Sequence, residues 1–192
     1  MTETAQNQIA QELDGLKEKF DLLLYVGRFC PMHVGHQAMI GGMVKAFPEN
    51  HIVMIGSCNE PMSMRNLFSY GDRHDFIAEK FPSCRVVGIP DFGDDSSWFK
   101  YLDDLIALAG GNPETTAFIG GCREDVEWYY RTNRQVHIVN RFSGTTTNVS
   151  GTEIRDHLIS RNRERLIELI DPQIIDIVQE RFDLRWDEFR RK

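Results

Sequence analysis

The sequence predicts that residues 22–192 form an α/β domain in which a doubly wound parallel sheet of five strands lies between helices. Short apolar runs alternate with longer amphipathic stretches along the 192-residue chain, as strands and helices alternate in α/β proteins. Most of the short runs are apolar without interruption, which is typical of strands covered on both faces. Proline or a pair of glycines follows three of the amphipathic stretches, where a helix is expected to end.

Five strands and four crossover helices are expected in order along the chain. The strands are predicted at residues 22–26, 51–55, 84–89, 116–119 and 135–139. The helices are predicted at residues 35–47, 72–81, 97–109 and 124–131. Right-handed crossovers then place helices on both faces of the sheet, and ligands of such sheets bind at the carboxyl ends of strands. Functional side chains are therefore expected just after strands.

Both ends of the chain are expected to add helices to this domain. Residues 1–21 are predicted as an N-terminal helical extension packed on the domain, because apolar residues recur there at helical spacing. These residues are Ile9, Leu13, Leu16 and Phe20. A last helix is expected to begin at Asp171 and Pro172, an N-cap and first-turn pair, and to reach Phe182, with residues 184–192 as a tail.

Composition and charge exclude several classes of partner. The chain carries 22 Lys and Arg against 29 Asp and Glu, a formal net charge of -7, whereas non-specific binding to nucleic acid or to an anionic membrane needs a basic excess. No apolar run approaches the ~20 residues of a membrane span, and the N-terminus lacks the apolar core of a secretory signal. The four cysteines include no CxxC pair, which fits reduced thiols. A cytoplasmic location is therefore expected.

The segment after the first predicted strand, GRFCPMHVGH, leads directly into a helix. Unpaired N–H groups and the positive end of the helix dipole make such a helix start an anion site. Gly27 lets the backbone approach a phosphate closely, and Gly35 does the same in the first helical turn. His33 and His36 project from nearly the same face and converge with Arg28. A metal site at the two histidines is not favoured, because no carboxylates stand near them at ligand spacing.

The GRFCPMHVGH segment resembles the GRFxPxHxGH motif of the HxGH nucleotidyltransferase superfamily, whose members transfer an AMP or CMP unit from a nucleoside triphosphate to a phosphate. Residues 149–155, VSGTEIR, match the ISxTxxR segment that opens a late helix in the same superfamily. The resemblance implies a Rossmann-like fold. In physical terms, Ser150 and Glu153 form a capping box, and Arg155 in the first turn can bind phosphate oxygens with its forked guanidinium. Two helix starts are thus expected to hold one triphosphate.

Central segments narrow the resemblance to nicotinamide mononucleotide adenylyltransferases. GS at 56–57 and RNLFSYGDR at 65–73 resemble the GS...NPFTxxER stretch of the archaeal-type enzymes. IPD at 89–91 with Trp98 resembles their IPD...W segment, whose tryptophan lies against the nicotinamide ring. IGGCRED at 119–125 resembles the adenylyltransferase half of bifunctional adenylyltransferase/Nudix proteins. No Nudix signature follows, so no pyrophosphatase activity is expected.

The resemblance implies an enzyme that joins ATP and nicotinamide mononucleotide into NAD and pyrophosphate by direct in-line attack, with Mg²⁺ carried by ATP. The residues implied to be catalytic are His33, His36 and Arg155. Those implied to bind ATP are Gly27, Arg28, Arg65, Gly120, Ser150 and Thr152. Those implied to bind the mononucleotide are Trp98 and Asp91. No protein metal ligand, nucleic acid or membrane is expected, and a homo-oligomer is expected because relatives of this type often assemble.

The overall negative charge does not exclude a triphosphate, because cationic side chains are expected around it. They are Arg28, His33, His36, Arg65, Arg73 and Arg155. Cys30 and Met32 stand where the family usually has Gln and an aromatic residue, so the shape of the nucleotide pocket is left open.

Several alternatives stay open. One is another transferase of the superfamily, which acts on nicotinate mononucleotide or phosphopantetheine, or uses CTP. Another is a nucleotide-sensing module that binds NAD or ATP without turnover. Trp98 is alternatively the first core residue of its helix, and Trp128, Tyr129 and Tyr130 are expected to pack their own helix.

Overall fold

Five parallel strands form the sheet that the sequence predicts. The computed structural model describes residues 2–130, 132–139 and 149–191. The strands are β1 (Leu22–Gly27), β2 (His51–Ile55), β3 (Val86–Gly88), β4 (Thr116–Gly120) and β5 (Gln135–Ile138). They lie in the order β3-β2-β1-β4-β5, and every neighbouring pair is parallel. The predicted doubly wound α/β fold is confirmed.

Helices cover both faces of the sheet. Within the described residues they are α1 (Thr2–Asp14), α2 (Val34–Ala46), α3 (Tyr70–Lys80), α4 (Asp95–Leu108), α5 (Arg123–Tyr130), α6 (Gly151–Ile159), α7 (Arg163–Leu169) and α8 (Ile175–Arg190). The four predicted crossover helices are α2 to α5, and each ends close to its predicted bounds. The short helix α7 was not predicted. None of the described helices is long and apolar enough to cross a lipid bilayer.

Strand β1 lies at the centre of the sheet, and its side chains belong to the apolar layers on both faces. Leu23 and Tyr25 face the apolar layer that contains α1 to α3 and α6 to α8. Leu22 and Leu24 face the layer that contains α4 and α5. The chain leaves β1 for β2 on one side and later enters β4 on the other. The carboxyl ends of β1 and β4 therefore flank the crevice where ligands of doubly wound sheets bind.

Helix α1 packs on α2 at a pair of small residues. A Cβ at Gly42 would lie 2.4 Å from Ile9 Cγ2, and a Cβ at Gly41 would lie 2.3 Å from Gln6 Cδ. The absence of these side chains lets the two helices approach closely. Helix α1 ends at Asp14, so Leu16 and Phe20, which the helical spacing included, lie beyond the helix in turns that still contact the core.

The C-terminal helix differs from its prediction at both ends. It begins at Ile175, after a turn at residues 172–174 in which the Ile174 and Ile175 N–H groups donate to the Asp171 carbonyl at 3.0 and 3.1 Å. The Asp171 carboxylate accepts from the Gln173 N–H at 2.9 Å and pairs with Lys80 at 3.0 Å. It continues to Arg190, so the expected tail was wrong. Trp186 stacks on Phe182 at a ring-centroid distance of 5.6 Å, which gives the last turns a packed apolar face.

Candidate active site

The loop after β1 brings two histidine rings together at the start of α2. His33 is the N-cap of α2, and its Nδ1 accepts from the His36 N–H at 3.4 Å. The rings stack with centroids 3.7 Å apart and an interplanar angle of 26°. A Cβ at Gly35 would lie only 3.2 Å from the His33 ring, so glycine there leaves room for the stacked pair. The spacing of the motif correctly predicted that the two histidines converge.

Arg155 joins the start of α6 to the same loop. Its side chain is 9% exposed and donates to the Cys30 carbonyl at 2.7 Å and to Thr152 Oγ1 at 3.0 Å. A Cβ at Gly151 would lie 3.0 Å from the Cys30 carbonyl oxygen, so glycine allows the first turn of α6 to rest on the loop. Arg155 therefore has a structural role in addition to any contact with a ligand.

Helix α6 begins as the sequence predicts. Ser150 is its N-cap and accepts from the Glu153 N–H at 3.1 Å, which is one half of the predicted capping box. The Glu153 carboxylate lies 3.4 Å from Arg165 and 4.0 Å from His157. The first turn of α6 is thus fixed, and it lies against the loop after β1 at Gly151 and Arg155.

These elements enclose a cavity of about 300 Å³, which we call the cationic cavity. Its lining is Arg28, Phe29, Cys30, His33, His36, Arg65, Gly151, Thr152 and Arg155. The lining contains three guanidinium groups and two imidazoles, and no carboxylate among the described residues. Burial and the nearby Arg65 lower the pKa of Arg28, as expected where like charges meet. With two helix starts beside it, the cavity suits a polyanion.

A second cavity of about 390 Å³ adjoins the first, and we call it the tryptophan pocket. Its walls include Trp98 and Trp128, whose ring centroids are 4.5 Å apart. Trp98 is 7% exposed and packs in the core, so it is a core residue that also forms part of the pocket wall. Arg28 lines both cavities. Asp91 lines the pocket on a backbone that exchanges two hydrogen bonds with the Asn59 side chain.

Arg73 has a different place from the one expected. It is fully buried and donates to the carbonyls of Gly56 at 2.8 Å, Arg28 at 3.0 Å and Ser57 at 3.1 Å. It is not among the described residues that line the cationic cavity. Arg73 therefore fixes the loops after β1 and β2 to each other instead of facing a phosphate.

Two glycines are needed for reasons other than phosphate approach. A Cβ at Gly27 would lie 2.7 Å from the ring of Phe29, which folds back beneath it with a φ of 49°. A Cβ at Gly120 would lie 2.3 Å from Val126 Cγ1, so this glycine lets α5 approach β4. Both positions are explained by packing.

The structure brings most of the predicted site residues to the two cavities. Those in the cationic cavity are Arg28, His33, His36, Arg65, Thr152 and Arg155. Those in the tryptophan pocket are Gly27, Arg28, Asp91 and Trp98. Ser150 and Gly120 are not among the described lining residues of either cavity.

Several lining residues were left unassigned from the sequence, and one arginine was misplaced. Gly151 stands inside the VSGTEIR segment but was not singled out, and Arg73 was placed with the wrong partners. Trp128 was assigned to helix packing, yet it lines the pocket and its indole N–H donates to Asp95 at 3.3 Å. The sequence could have indicated that Trp128 lies at the site. It follows Asp125 by three residues, in the helix that comes after β4.

The fold and the two cavities define an α/β protein of the doubly wound class with a site at the carboxyl ends of its strands. Residues 24–157 match the cytidylyltransferase-like family model, and the chain therefore belongs to that family. The resemblance derived from the motifs is confirmed at this level.

Curated relatives and solved structures are similar to this chain at modest identity. A nicotinamide/nicotinic acid mononucleotide adenylyltransferase of Acinetobacter baylyi is 25% identical over 59% of this chain and 62% of its own length. A nicotinamide-nucleotide adenylyltransferase of Methanocorpusculum labreanum is 30% identical over 43% of this chain and 51% of its own length. The chain thus spans about half to three fifths of these relatives.

A structural neighbour supports the fold. The bifunctional NMN adenylyltransferase/ADP ribose pyrophosphatase of Francisella tularensis superimposes with a TM-score of 0.61 and 21% identity, over 74% of this chain and 43% of that one. Another structure of such a protein from this organism is complexed with AMP and a manganese ion.

Proposed function

We propose that this chain is a nicotinamide-nucleotide adenylyltransferase, which forms NAD and pyrophosphate from ATP and nicotinamide mononucleotide. The observation that carries the proposal is the position of Arg28, which lines both the cationic cavity and the tryptophan pocket. One cavity suits a triphosphate and the other suits a planar ring. A guanidinium between them can contact both phosphates that must meet.

The cationic cavity is assigned to the triphosphate of ATP. His33, His36 and Arg155 are proposed as the catalytic residues, because their N–H groups can stabilise the charge that develops on the departing pyrophosphate. Arg28, Arg65 and Thr152 line the same cavity and are proposed to bind the phosphates. Ser150 contributes by capping α6, Gly27 lines the tryptophan pocket, and Gly120 lets α5 approach β4.

The tryptophan pocket is assigned to the mononucleotide. The indole face of Trp98 offers a flat surface to the pyridinium ring, and a cation over tryptophan is worth about 0.5 to 2 kcal/mol. Asp91 lines the same pocket. With its ring held there, the mononucleotide can direct its 5'-phosphate towards Arg28.

The proposed reaction needs no protein nucleophile. An oxygen of the 5'-phosphate forms a bond to the α-phosphorus of ATP, the bond from that phosphorus to the bridging α,β-oxygen breaks, and pyrophosphate leaves with the electron pair. Catalysis of this kind depends on positioning and on charge stabilisation. The two cavities position the substrates, and the histidines and arginines stabilise the charge.

Magnesium is proposed to enter with ATP rather than to be held by the protein. Mg²⁺ prefers oxygen ligands, whereas the charged groups that line the cationic cavity are imidazole and guanidinium groups. The described residues contain no group of three or more His, Cys, Asp or Glu that could hold a metal ion. The metal would neutralise part of the triphosphate charge, and the chain's own side chains would bind the remainder.

The proposal is tested by measuring pyrophosphate release from ATP with nicotinamide mononucleotide. We expect release that depends on both substrates, together with stoichiometric NAD. CTP is the matched alternative donor, because the family model is described as cytidylyltransferase-like, and phosphopantetheine is the alternative acceptor. Preference for CTP, or release only with phosphopantetheine, would contradict the proposal.

His36→Ala tests the assigned chemistry in the same assay. We expect kcat to fall about a hundredfold to a thousandfold, as when one preorganised donor is removed from a transition state. His74→Ala is the matched control, because His74 lies on α3 with a largely exposed side chain. Near-normal turnover of a folded His36→Ala protein would remove this histidine from the mechanism.

A further inference from the structure

We infer that carboxylates around the tryptophan pocket select the amidated mononucleotide over its deamidated form, with Asp95 and Asp125 as the specificity-determining residues. The inference rests on the proposed function, since it takes a pyridine mononucleotide as the ligand. It goes further by assigning a charge preference to the ring end of the pocket.

The lining of the pocket is strongly acidic. Four carboxylates belong to it, from Asp91, Asp94, Asp95 and Asp125, against one guanidinium from Arg28 among the described residues. The Ser97 N–H donates to Asp94 at 2.8 Å and lowers the pKa of that carboxyl group. The pocket therefore carries an excess of negative charge at neutral pH.

The charges are not spread evenly between the two ends of the pocket. Asp91 interacts with Arg28, at the end that adjoins the cationic cavity. Asp95 accepts from the Trp128 indole N–H at 3.3 Å, and Asp125 precedes Trp128 by three residues on α5, on the same helix face. Asp95 and Asp125 thus lie with the tryptophans, where the ring is placed.

The two candidate ligands differ in charge only at the ring. The nicotinamide ring is a cation with a neutral carboxamide, so its net charge is positive. The nicotinate ring carries a carboxylate beside the same cation, so its net charge is zero. Negative side chains at the ring end of the pocket attract the first and repel the added carboxylate of the second. The four aspartates are solvent-exposed, so the difference is carried by their number rather than by burial.

Equilibrium binding tests this without requiring turnover. The chain has three tryptophans, and Trp186 lies on α8 against Phe182. In a Trp186→Phe protein, the remaining indole fluorescence comes from Trp98 and Trp128, which both line the pocket. Titration with nicotinamide mononucleotide and with nicotinate mononucleotide then reports the Kd of each at the pocket itself.

We expect the Kd for nicotinate mononucleotide to exceed that for nicotinamide mononucleotide by about tenfold or more. Asp125→Asn and Asp95→Asn should each narrow this ratio by about threefold or more, because each removes a charge while keeping an acceptor oxygen. Asp104→Asn is the matched control, since Asp104 is exposed on α4 and pairs with Lys100. That variant should leave the ratio unchanged.

The outcomes separate this inference from the proposed function. Equal affinity for the two mononucleotides, or a ratio unchanged in both pocket variants, overturns the inference even if NAD is formed. Selective binding that narrows in the variants, without pyrophosphate release, supports the inference and contradicts the proposed function. Absence of quenching by either ligand at millimolar concentration overturns both.

Discussion

Trp98 combines a packing role with a surface that faces a cavity. Its ring meets Phe99 edge to face at 5.3 Å and Trp128 at 4.5 Å, and it also lines the tryptophan pocket. Substitution therefore affects stability and binding together, and the two effects need separate measurements.

For Trp98→Ala, we expect the KM for nicotinamide mononucleotide to rise about tenfold as the cation–aromatic contact is lost, with the KM for ATP little changed. The free energy of unfolding should fall by about 3 kcal/mol, as for other large core residues reduced to alanine. Phe99→Ala is the control, because Phe99 is similarly buried but is not among the described lining residues. It should lose stability without the change in KM, and an unchanged KM in Trp98→Ala would leave this residue a core residue only.

At the residue scale, sequence reasoning succeeded where local spacing decides geometry. His33 and His36 share one helix turn, so their convergence follows from the motif. Arg73 could not be placed in this way, because its partners are carbonyls of two loops distant in sequence. The positions of cationic residues in a sequence do not show which of their side chains will donate to backbone carbonyls.

At the scale of elements, a buried ion pair joins α3 to α8. Arg185 Nε donates to Asp72 Oδ2 at 2.7 Å, and Asp72 is 4% exposed. Asp72 also completes a capping box with Ser69 at the start of α3. Burial alone would raise the pKa of Asp72, but hydrogen bonds from Arg185 and Ser69 outweigh it and hold the pKa below its ordinary value.

The sign of this shift predicts how stability changes with pH. A carboxyl group with a lowered folded pKa contributes stability above its unfolded pKa and loses it as pH falls through the folded value. We expect Asp72→Asn to reduce the free energy of unfolding by about 2 to 3 kcal/mol at pH 7, with a smaller difference from the parent below about pH 4. Urea unfolding at several pH values measures this difference.

Asp75→Asn provides the comparison on the same helix, because the Asp75 side chain is largely exposed. It should change the free energy of unfolding by less than about 0.5 kcal/mol. A cost for Asp72→Asn that stays constant down to pH 3 would show that packing or capping, rather than the ion pair, explains the loss.

Strands and crossover helices were predictable because each is encoded by its own apolar pattern. Strand β3 is shorter than predicted, Val86–Gly88 rather than residues 84–89, since it lies at the sheet edge and pairs only with β2. The start of α8 was misplaced because residues 172–174 form a turn before the helix begins at Ile175. Such choices depend on tertiary contacts that a local pattern does not contain.

At the scale of the whole molecule, α1 is joined to the sheet domain through a close helix contact. Gly42→Ala is expected to destabilise the protein by about 1 to 3 kcal/mol through overpacking, although alanine favours helix by about 1 kcal/mol. The added Cβ would meet Ile9 Cβ at 2.6 Å and Cγ2 at 2.4 Å, and the Cβ cannot move without the backbone of α1.

A double-mutant cycle measures this contact. In an Ile9→Gly background, which removes both the Cγ2 and the Cβ that the added methyl group would meet, most of the cost of Gly42→Ala should disappear, as judged by urea unfolding. Gly41→Ala is the neighbouring control, because its Cβ would meet the flexible Gln6 side chain and should cost less. An equal cost of Gly42→Ala in both backgrounds would show that the Ile9 contact is not its cause.

The sequence predicted a helix within residues 1–21 but not its contacts. The need for glycine at Gly41 and Gly42 becomes evident only when Gln6 and Ile9 are seen to pack against them. The expected cytoplasmic location, the homo-oligomer and the division at residue 22 stay predictions. The negative overall charge and the cationic cavity coexist because charge is sorted locally, which composition alone does not reveal.

The hydrogen bonds from Arg73 to the carbonyls of Arg28, Gly56 and Ser57 have a consequence for experiments in solution. Burial lowers the pKa of Arg73, yet an arginine in a protein keeps its proton throughout the range in which enzymes are assayed. The link between the loops after β1 and β2 is therefore insensitive to acidity. A change of turnover between pH 6 and pH 9 would therefore not arise from loss of this link between the two loops.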